Sequence, residues 1–168
     1  MRTRNVDRDS SKRLLGSKEG VRRISHETIY RDKHCVLTLV DRKCGYTQIG
    51  KLEARTTAEA TRRATELVDA SPRRARTVTV DNGTEFHGYE RVEASTGARF
   101  YFATPCHSRE RGANENTNGL IRQYLPKRKS MAKITQADCD RIADKLNNRP
   151  RKRLDYRTPR EVYERLPS

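Results

Sequence analysis

Thr77-Val78-Thr79-Val80-Asp81-Asn82-Gly83-Thr84-Glu85-Phe86 is the stretch on which the reading of this chain turns. Four alternating β-branched residues predict a short strand. Asp81 then stands at its tip, and Asn82-Gly83 is turn chemistry that lets the backbone leave the strand sharply. A second carboxylate, Glu115, follows 34 positions later in Arg111-Gly112-Ala113-Asn114-Glu115-Asn116-Thr117-Asn118-Gly119. Taken alone, an Asp-Asn-Gly is most often just a turn, and a Glu on a helix is most often solvated. The Asn and Gly residues crowding Glu115 shift that balance. They are weak helix formers, so a functional demand explains them better than propensity does.

Outward from this stretch, an α/β order emerges. Cys35–Asp41 is a short apolar run of the kind a buried strand shows. Arg42-Lys43-Cys44-Gly45 is a turn, and Tyr46–Leu52 is its hairpin partner. Thr56 and Glu59 form a capping box, followed by Ala60, Ala64, Leu67 and Val68 at helical spacing. Ser71-Pro72 closes that helix. A short helix over about 85–95 and a strand over 98–102 follow the strand that ends at Val80. Residues 105–112 are a polar loop. Glu115 opens a helix that buries Leu120, Ile121, Tyr124 and Leu125 and stops at Pro126. Thr135 and Asp138 cap the next helix, with Cys139, Ile142, Ala143 and Leu146 on one face. Thr158, Pro159 and Glu161 begin the last one. Ser25 reads as the N-cap of a helix start over residues 25–30.

Composition narrows the function. Lys and Arg number 37 against 22 Asp and Glu in 168 residues, a net charge of +15. The isoelectric point is near 10.1 and the mean hydropathy −1.03. A balance this basic points first to nucleic acid. No apolar run approaches the ~20 residues of a membrane span, and no secretory signal is visible. Cys35, Cys44, Cys106 and Cys139 form no C-x-x-C pair, which argues against a zinc ribbon. Free thiols in a reducing cytoplasm are the better reading. Residues 122–160 hold thirteen Lys and Arg against four Asp. Arg149, Arg151, Lys152 and Arg153 cluster there, and they suit phosphate contacts that give affinity without sequence specificity.

Phosphoryl transfer on DNA needs an attacking oxygen, a leaving oxygen and charge neutralisation at phosphorus. Two divalent ions roughly 3.5–4 Å apart supply all three. Hard ions such as Mg²⁺ take carboxylate oxygens and keep several waters. A strand-tip Asp81 and a helix-borne Glu115 are ligands of that type.

The residues quoted above, with Leu120-Ile121-Arg122-Gln123-Tyr124-Leu125-Pro126-Lys127 and Leu146-Asn147-x-Arg149-Pro150-Arg151-Lys152, resemble the transposases of the insertion sequence thirty family. These are bacterial DDE recombinases with an RNase H-like, retroviral-integrase-like catalytic core. The resemblance runs from about Cys35 to Leu166. It implies that Asp81 and Glu115 are the second and third catalytic, metal-binding acidic residues, with Mg²⁺ or Mn²⁺ as cofactor. It implies double-stranded DNA as partner, both transposon ends and target, with contacts from Arg122, Lys127, Arg149, Arg151, Lys152 and Arg153 near the cleaved end. A homo-oligomer, or association with a full-length transposase, belongs to the same expectation, as does a cytoplasmic location without membrane contact.

The first acidic residue is where this sequence departs. The family carries it on a strand in a Trp-Glu-Gly-Asp run, and this chain has no Trp. Ile24-Ser25-His26-Glu27-Thr28-Ile29-Tyr30-Arg31 instead resembles the end of the family's upstream helix-turn-helix. An internal deletion near Arg31-Asp32 accounts for the juxtaposition. Residues 1–31 are then expected to be a basic segment with a helix-turn-helix remnant, and 32–168 an integrase-like core with basic C-terminal helices and its first strand missing. The acidic residue that would complete the set of three, the first in chain order, is unknown, with Asp32 and Asp41 as weak substitutes. The expected function is metal-dependent DNA cleavage and strand transfer impaired by that loss. The alternative is a non-catalytic DNA-binding remnant that competes with full-length transposase.

Overall fold

The β-branched residues Ile24, Thr28 and Ile29 sit in a strand, not a helix. In the computed structural model Arg23–Arg31 forms β1, the central strand of a five-stranded sheet. The structure describes residues 23–31, 34–54, 56–71, 73–80, 88–102, 108–125 and 133–166, with the backbone alone at 23–31, 34 and 108–115. β2 (His34–Asp41) pairs antiparallel with β1, from Arg31 opposite His34 to Ile24 opposite Asp41. β3 (Thr47–Leu52) pairs antiparallel with β2, completing the hairpin expected from the turn at 42–45. β4 (Thr77–Val80) lies parallel to β1 on its other side, and β5 (Arg99–Phe102) lies parallel to β4. The strand order is β3-β2-β1-β4-β5.

Two expectations fall with β1. Ser25 is not a helix cap, and the sheet does not lack its first strand. The reason is tertiary: β2 and β4 present ladder groups on both sides of this segment. Filling that slot satisfies them, which outweighs a capping signal of about 1 kcal/mol. Of the helix-turn-helix remnant expected within residues 1–31, Arg23–Arg31 is strand β1, and residues 1–22 lie outside the described residues.

Both faces of the sheet are covered, which is why Cys35–Val40 is buried without a break, the polar Thr38 included. Successive strand residues point to opposite faces. Cys35, Leu37 and Leu39 join Leu52, Val78, Val80 and Phe100 in one core. Against it packs α1 (Thr57–Asp69) through Ala64, Leu67 and Val68, and α2 (Tyr89–Thr96) through Val92. Val36 and Ile49 join the opposite core, with Ile121 and Leu125 from α3 (Ser108–Tyr124) and Cys139, Ile142 and Leu146 from α4 (Gln136–Asn147). The four apolar positions expected on α4 are all buried. Of the four positions expected to be buried along α3, Ile121 and Leu125, which follows the end of α3, are buried, Leu120 is half-buried and Tyr124 is exposed.

Helix ends follow the sequence closely. Thr56 accepts from the Glu59 amide at 3.2 Å. Thr135 with Asp138 and Thr158 with Glu161 form complete capping boxes, and Pro159 opens α5 (Pro159–Arg165). The polar loop expected over 105–112 is shorter than that, because α3 begins at Ser108. Arg109, Glu110, Arg111 and Ala113 are strong helix formers, and they outweigh the ~1 kcal/mol cost of Gly112. Polarity marks an exposed helix face as readily as a loop.

β3 is an edge strand whose outward groups are sealed by two amide side chains of α4. Gln136 Oε1 accepts from Lys51 N at 2.8 Å, and its Nε2 donates to Ile49 O at 2.9 Å. Asn147 repeats the exchange with Thr47, at 2.8 Å in both directions. The two amides stand in for a sixth strand, one at each end of the helix.

Candidate functional site

β4 ends at Val80, so Asp81 is the next residue along the chain, where that strand terminates. Asp81 itself, with Lys127, Asp32 and Cys106, lies outside the described residues. Glu115 stands seven residues inside α3 rather than at its start, on a helix that packs against β1 and β2. The parallel register puts Arg23, Ile24 and Ser25 beside Thr77, Val78 and Thr79. The strand next to β4 is thus β1, whose one carboxylate is Glu27, paired with Thr38 of β2.

Asp41 is committed elsewhere. It is 1% exposed, and its Oδ1 accepts from the amides of Lys43 at 2.9 Å and Cys44 at 3.0 Å. Its backbone closes the same turn with Tyr46 and Gly45. Asp41 pairs with Ile24, level with Val78 where β4 begins, whereas Asp81 follows the end of that strand. A substitute role for Asp41 is therefore excluded by both position and bonding.

The buried stripe of α3 changes character along its length. Leu125, Ile121 and Asn118 recur at helical spacing on the packing face, and Glu115 is the next position N-terminal on that stripe. Asn118 is 3% exposed, and neither its Oδ1 nor its Nδ2 has a hydrogen-bond partner. Each orphaned buried group costs about 1–3 kcal/mol. An uncompensated amide one turn from Glu115 is what a missing polar ligand would leave, so the residues present suit a hydrated divalent ion. Among the described residues no group of three or more His, Cys, Asp or Glu is placed to hold a metal. Gly119 is exposed, and a Cβ there would meet nothing within 4 Å. Folding does not require glycine at this position, although glycine costs a helix about 1 kcal/mol.

Arg149, Arg151, Lys152 and Arg153 come together on the loop that follows α4, a loop containing a 3₁₀ turn at Lys152–Leu154. Arg151 and Arg153 reach the β2–β3 turn. Arg151 donates to Leu146 O at 3.5 Å and Arg153 to Lys43 O at 3.3 Å. Gly45, at φ +75°, keeps the turn low, since a side chain there would meet the Arg153 guanidinium. Burial, with Arg153 and Arg149 beside it, pushes Arg151 below the usual guanidinium range. A half-buried arginine among like charges is a strained arrangement that an anion relieves. This turn lies where β4 begins, so the cluster sits at the opposite end of the sheet from the strand terminus that precedes Asp81. Contacts near the cleaved end were expected, and spacing along the chain carries no information about which end of a sheet a loop reaches. Arg122 is exposed on the last turn of α3.

Packing fixes this platform in place. Tyr46 stacks on Tyr163 of α5 at 4.2 Å between ring centroids, and the Tyr163 hydroxyl lies 2.9 Å from Ser71 Oγ. Cys35, Cys44 and Cys139 are buried, and the Cys44 Sγ donates to Asp41 Oδ1 at 3.3 Å. Burial raises the Cys139 thiol to about 11, with Asp140 and Asp138 adding to the shift.

This sheet order, with helices on both faces, defines an RNase H-like core of the integrase type. The catalytic core of bovine immunodeficiency virus integrase superposes with a TM-score of 0.66, covering 86% of this chain and 95% of that one at 16% identity. No family model matches the chain. The sequence relatives are insertion-sequence transposases. That of IS4351 from Bacteroides fragilis is 39% identical over 163 residues, 96% of this chain and 50% of the relative. InsI of IS30A from Escherichia coli K12 is 40% identical over 166 residues, 98% of this chain and 41% of the relative. That of IS1086 from Cupriavidus metallidurans is 46% identical over 86 residues, 51% of this chain. The chain belongs to the insertion sequence thirty family of transposases, and it spans half or less of the length of these relatives. Among the described residues no helix is long and apolar enough to cross a membrane.

Proposed function

We propose that this chain is the DNA-processing core of a transposase that binds duplex DNA but cleaves and joins it inefficiently. The observation that supports the reading is the sheet: β4, the strand that precedes Asp81 in the chain, lies beside the central strand, and α3, the helix that carries Glu115, packs against β1 and β2. Asp81 and Glu115 would hold Mg²⁺ or Mn²⁺, which when bound neutralises charge at the scissile phosphate and activates the attacking oxygen. The chain's own residues do the rest. Arg122, Lys127 and the cluster Arg149, Arg151, Lys152 and Arg153 bind phosphates of transposon ends and target. Gly119 leaves the α3 surface low for close approach of a duplex backbone.

Impairment follows from the central strand. β1 carries no aspartate, and its Glu27 is one methylene longer than the residue the family resemblance implies. Residues 1–31 remain, in this reading, the basic remnant of a helix-turn-helix segment joined to the core by a deletion, with Arg23–Arg31 recruited into the sheet. Such a chain in the cytoplasm would associate with itself or with full-length transposase on the same DNA.

The test is incubation of purified chain with transposon-end duplex in Mg²⁺ or Mn²⁺, beside Asp81→Ala. Binding without cleavage above that control is the expected result. Failure to bind duplex DNA at low salt would remove the proposal. A second reading has a specific observation behind it, the presence of Glu27 on β1. Under that reading cleavage exceeds the Asp81→Ala control, and Glu27→Gln abolishes it.

A further inference from the structure

We propose that Asn118 is a positioning residue that anchors a water of the hydrated divalent ion held by Glu115, an inference that rests on the metal-binding reading above. Asn118 is buried to 3% exposure on the packing face of α3 with both amide atoms unpartnered. The chain's other buried polar groups show how unusual this is. Asn147, at 2% exposure, exchanges two hydrogen bonds with Thr47. Thr96 donates to Val92 O at 2.7 Å. Gln48 and Arg151 each leave one buried atom without a partner, but each also donates from another, to Leu67 O and Leu146 O. Of the described residues, Asn118 has a donor and an acceptor idle at once.

The idle pair defines its ligand. A carboxamide offers one acceptor and one donor group side by side, so the group that satisfies it must both donate and accept. A water does this. A simple buried water needs two to four polar partners, yet the next residues C-terminal on this stripe are Ile121 and Leu125. The polar direction runs N-terminally, to Glu115 one turn away. Mg²⁺ and Mn²⁺ keep several waters when carboxylates bind them, and a metal-bound water polarised by its ion donates strongly to an amide oxygen. Side chains that orient such a shell typically change metal affinity by about 10–100-fold when removed.

Mn²⁺ binding followed by electron paramagnetic resonance tests this without reference to DNA cleavage. The parent chain, Glu115→Gln, Asn118→Leu, Asn118→Ala and Asn118→Asp are titrated, with circular dichroism to confirm the fold. The leucine variant fills the space without polar atoms, and the alanine variant keeps the helix should leucine fail to pack. Both are expected to bind Mn²⁺ about tenfold or more weakly than the parent. The aspartate variant, with acceptors for metal-bound water, is expected to retain affinity. Parent-like affinity in the leucine or alanine variant, with Glu115→Gln defective, would overturn the inference and leave the metal reading standing. Loss in the aspartate variant as well would mark a packing role and overturn it too. Absence of Mn²⁺ binding in the parent would remove the metal reading itself, and this inference with it.

Discussion

Replacing Asn147 by Leu should be among the most damaging single changes outside the apolar core. Asn147 is 2% exposed and Thr47 is 0% exposed. The Asn147 side chain accepts from Thr47 N and donates to Thr47 O, both at 2.8 Å. Leucine has the same branched heavy-atom skeleton and is somewhat bulkier, so the change leaves no cavity. It covers the Thr47 backbone groups and removes their partners. Each buried orphan costs about 1–3 kcal/mol, so the pair costs roughly 2–6 kcal/mol. Against a total of about 5–15 kcal/mol for a domain, that is a large share. In a chain of this size 1 kcal/mol moves Tm by about 2–4 °C, which puts the expected drop at roughly 4–24 °C. Differential scanning calorimetry on parent and variant measures it. Gln136→Leu is the internal comparison. Gln136 makes the same exchange with Lys51 and Ile49 but is half-exposed, so water replaces part of what is lost and the drop should be clearly smaller. A change of under 1 °C in Asn147→Leu, or a larger effect in Gln136→Leu, would refute the view that α4 seals the β3 edge through its buried amide.

Salt dependence of duplex binding, read by fluorescence anisotropy, should be steep, with affinity falling by orders of magnitude between low and moderate salt. Arg149→Ala, Lys152→Ala and Arg153→Ala together should weaken binding on every sequence and flatten the log–log slope by up to about 3. Arg151 is left in place there because it also holds Leu146 O. An unchanged slope would move the phosphate contacts elsewhere. Gly119→Ala should raise thermal stability by roughly 0.5–1 kcal/mol while weakening duplex binding, and a gain in both would end the close-approach reading. Asp138, held at about 2 by the Thr135 amide and hydroxyl and by Arg141, supplies a pH test. A folded-state value below the unfolded one means the stabilisation is complete above about pH 4 and is lost as pH falls toward 2. Asp138→Asn should therefore show a shallower acid limb in urea midpoints across pH 2–4, and parallel limbs would count against the cap.

Much of the architecture was legible in the sequence because its cues are local. The Cys35–Leu52 hairpin, the cap residues Thr56, Thr135 and Thr158, and the buried stripe of α4 follow from patterning and from backbone groups at helix ends that need nearby partners. The basic character was legible for the same reason: charge is a property of the chain itself. The tertiary structure alone decided three matters. Ser25–Tyr30, which reads as a helix start, became the central strand, because β2 and β4 offered it two ladders that no local signal reveals. Asp41, a carboxylate on a strand like any candidate ligand, was drawn into the β2–β3 turn. Asn147 and Asn118 look alike as polar motif residues, yet one is saturated by an edge strand and the other is left open beside Glu115. Burial and partnership across 100 residues of chain separate them, and no spacing in the sequence encodes which backbone a side-chain amide will meet.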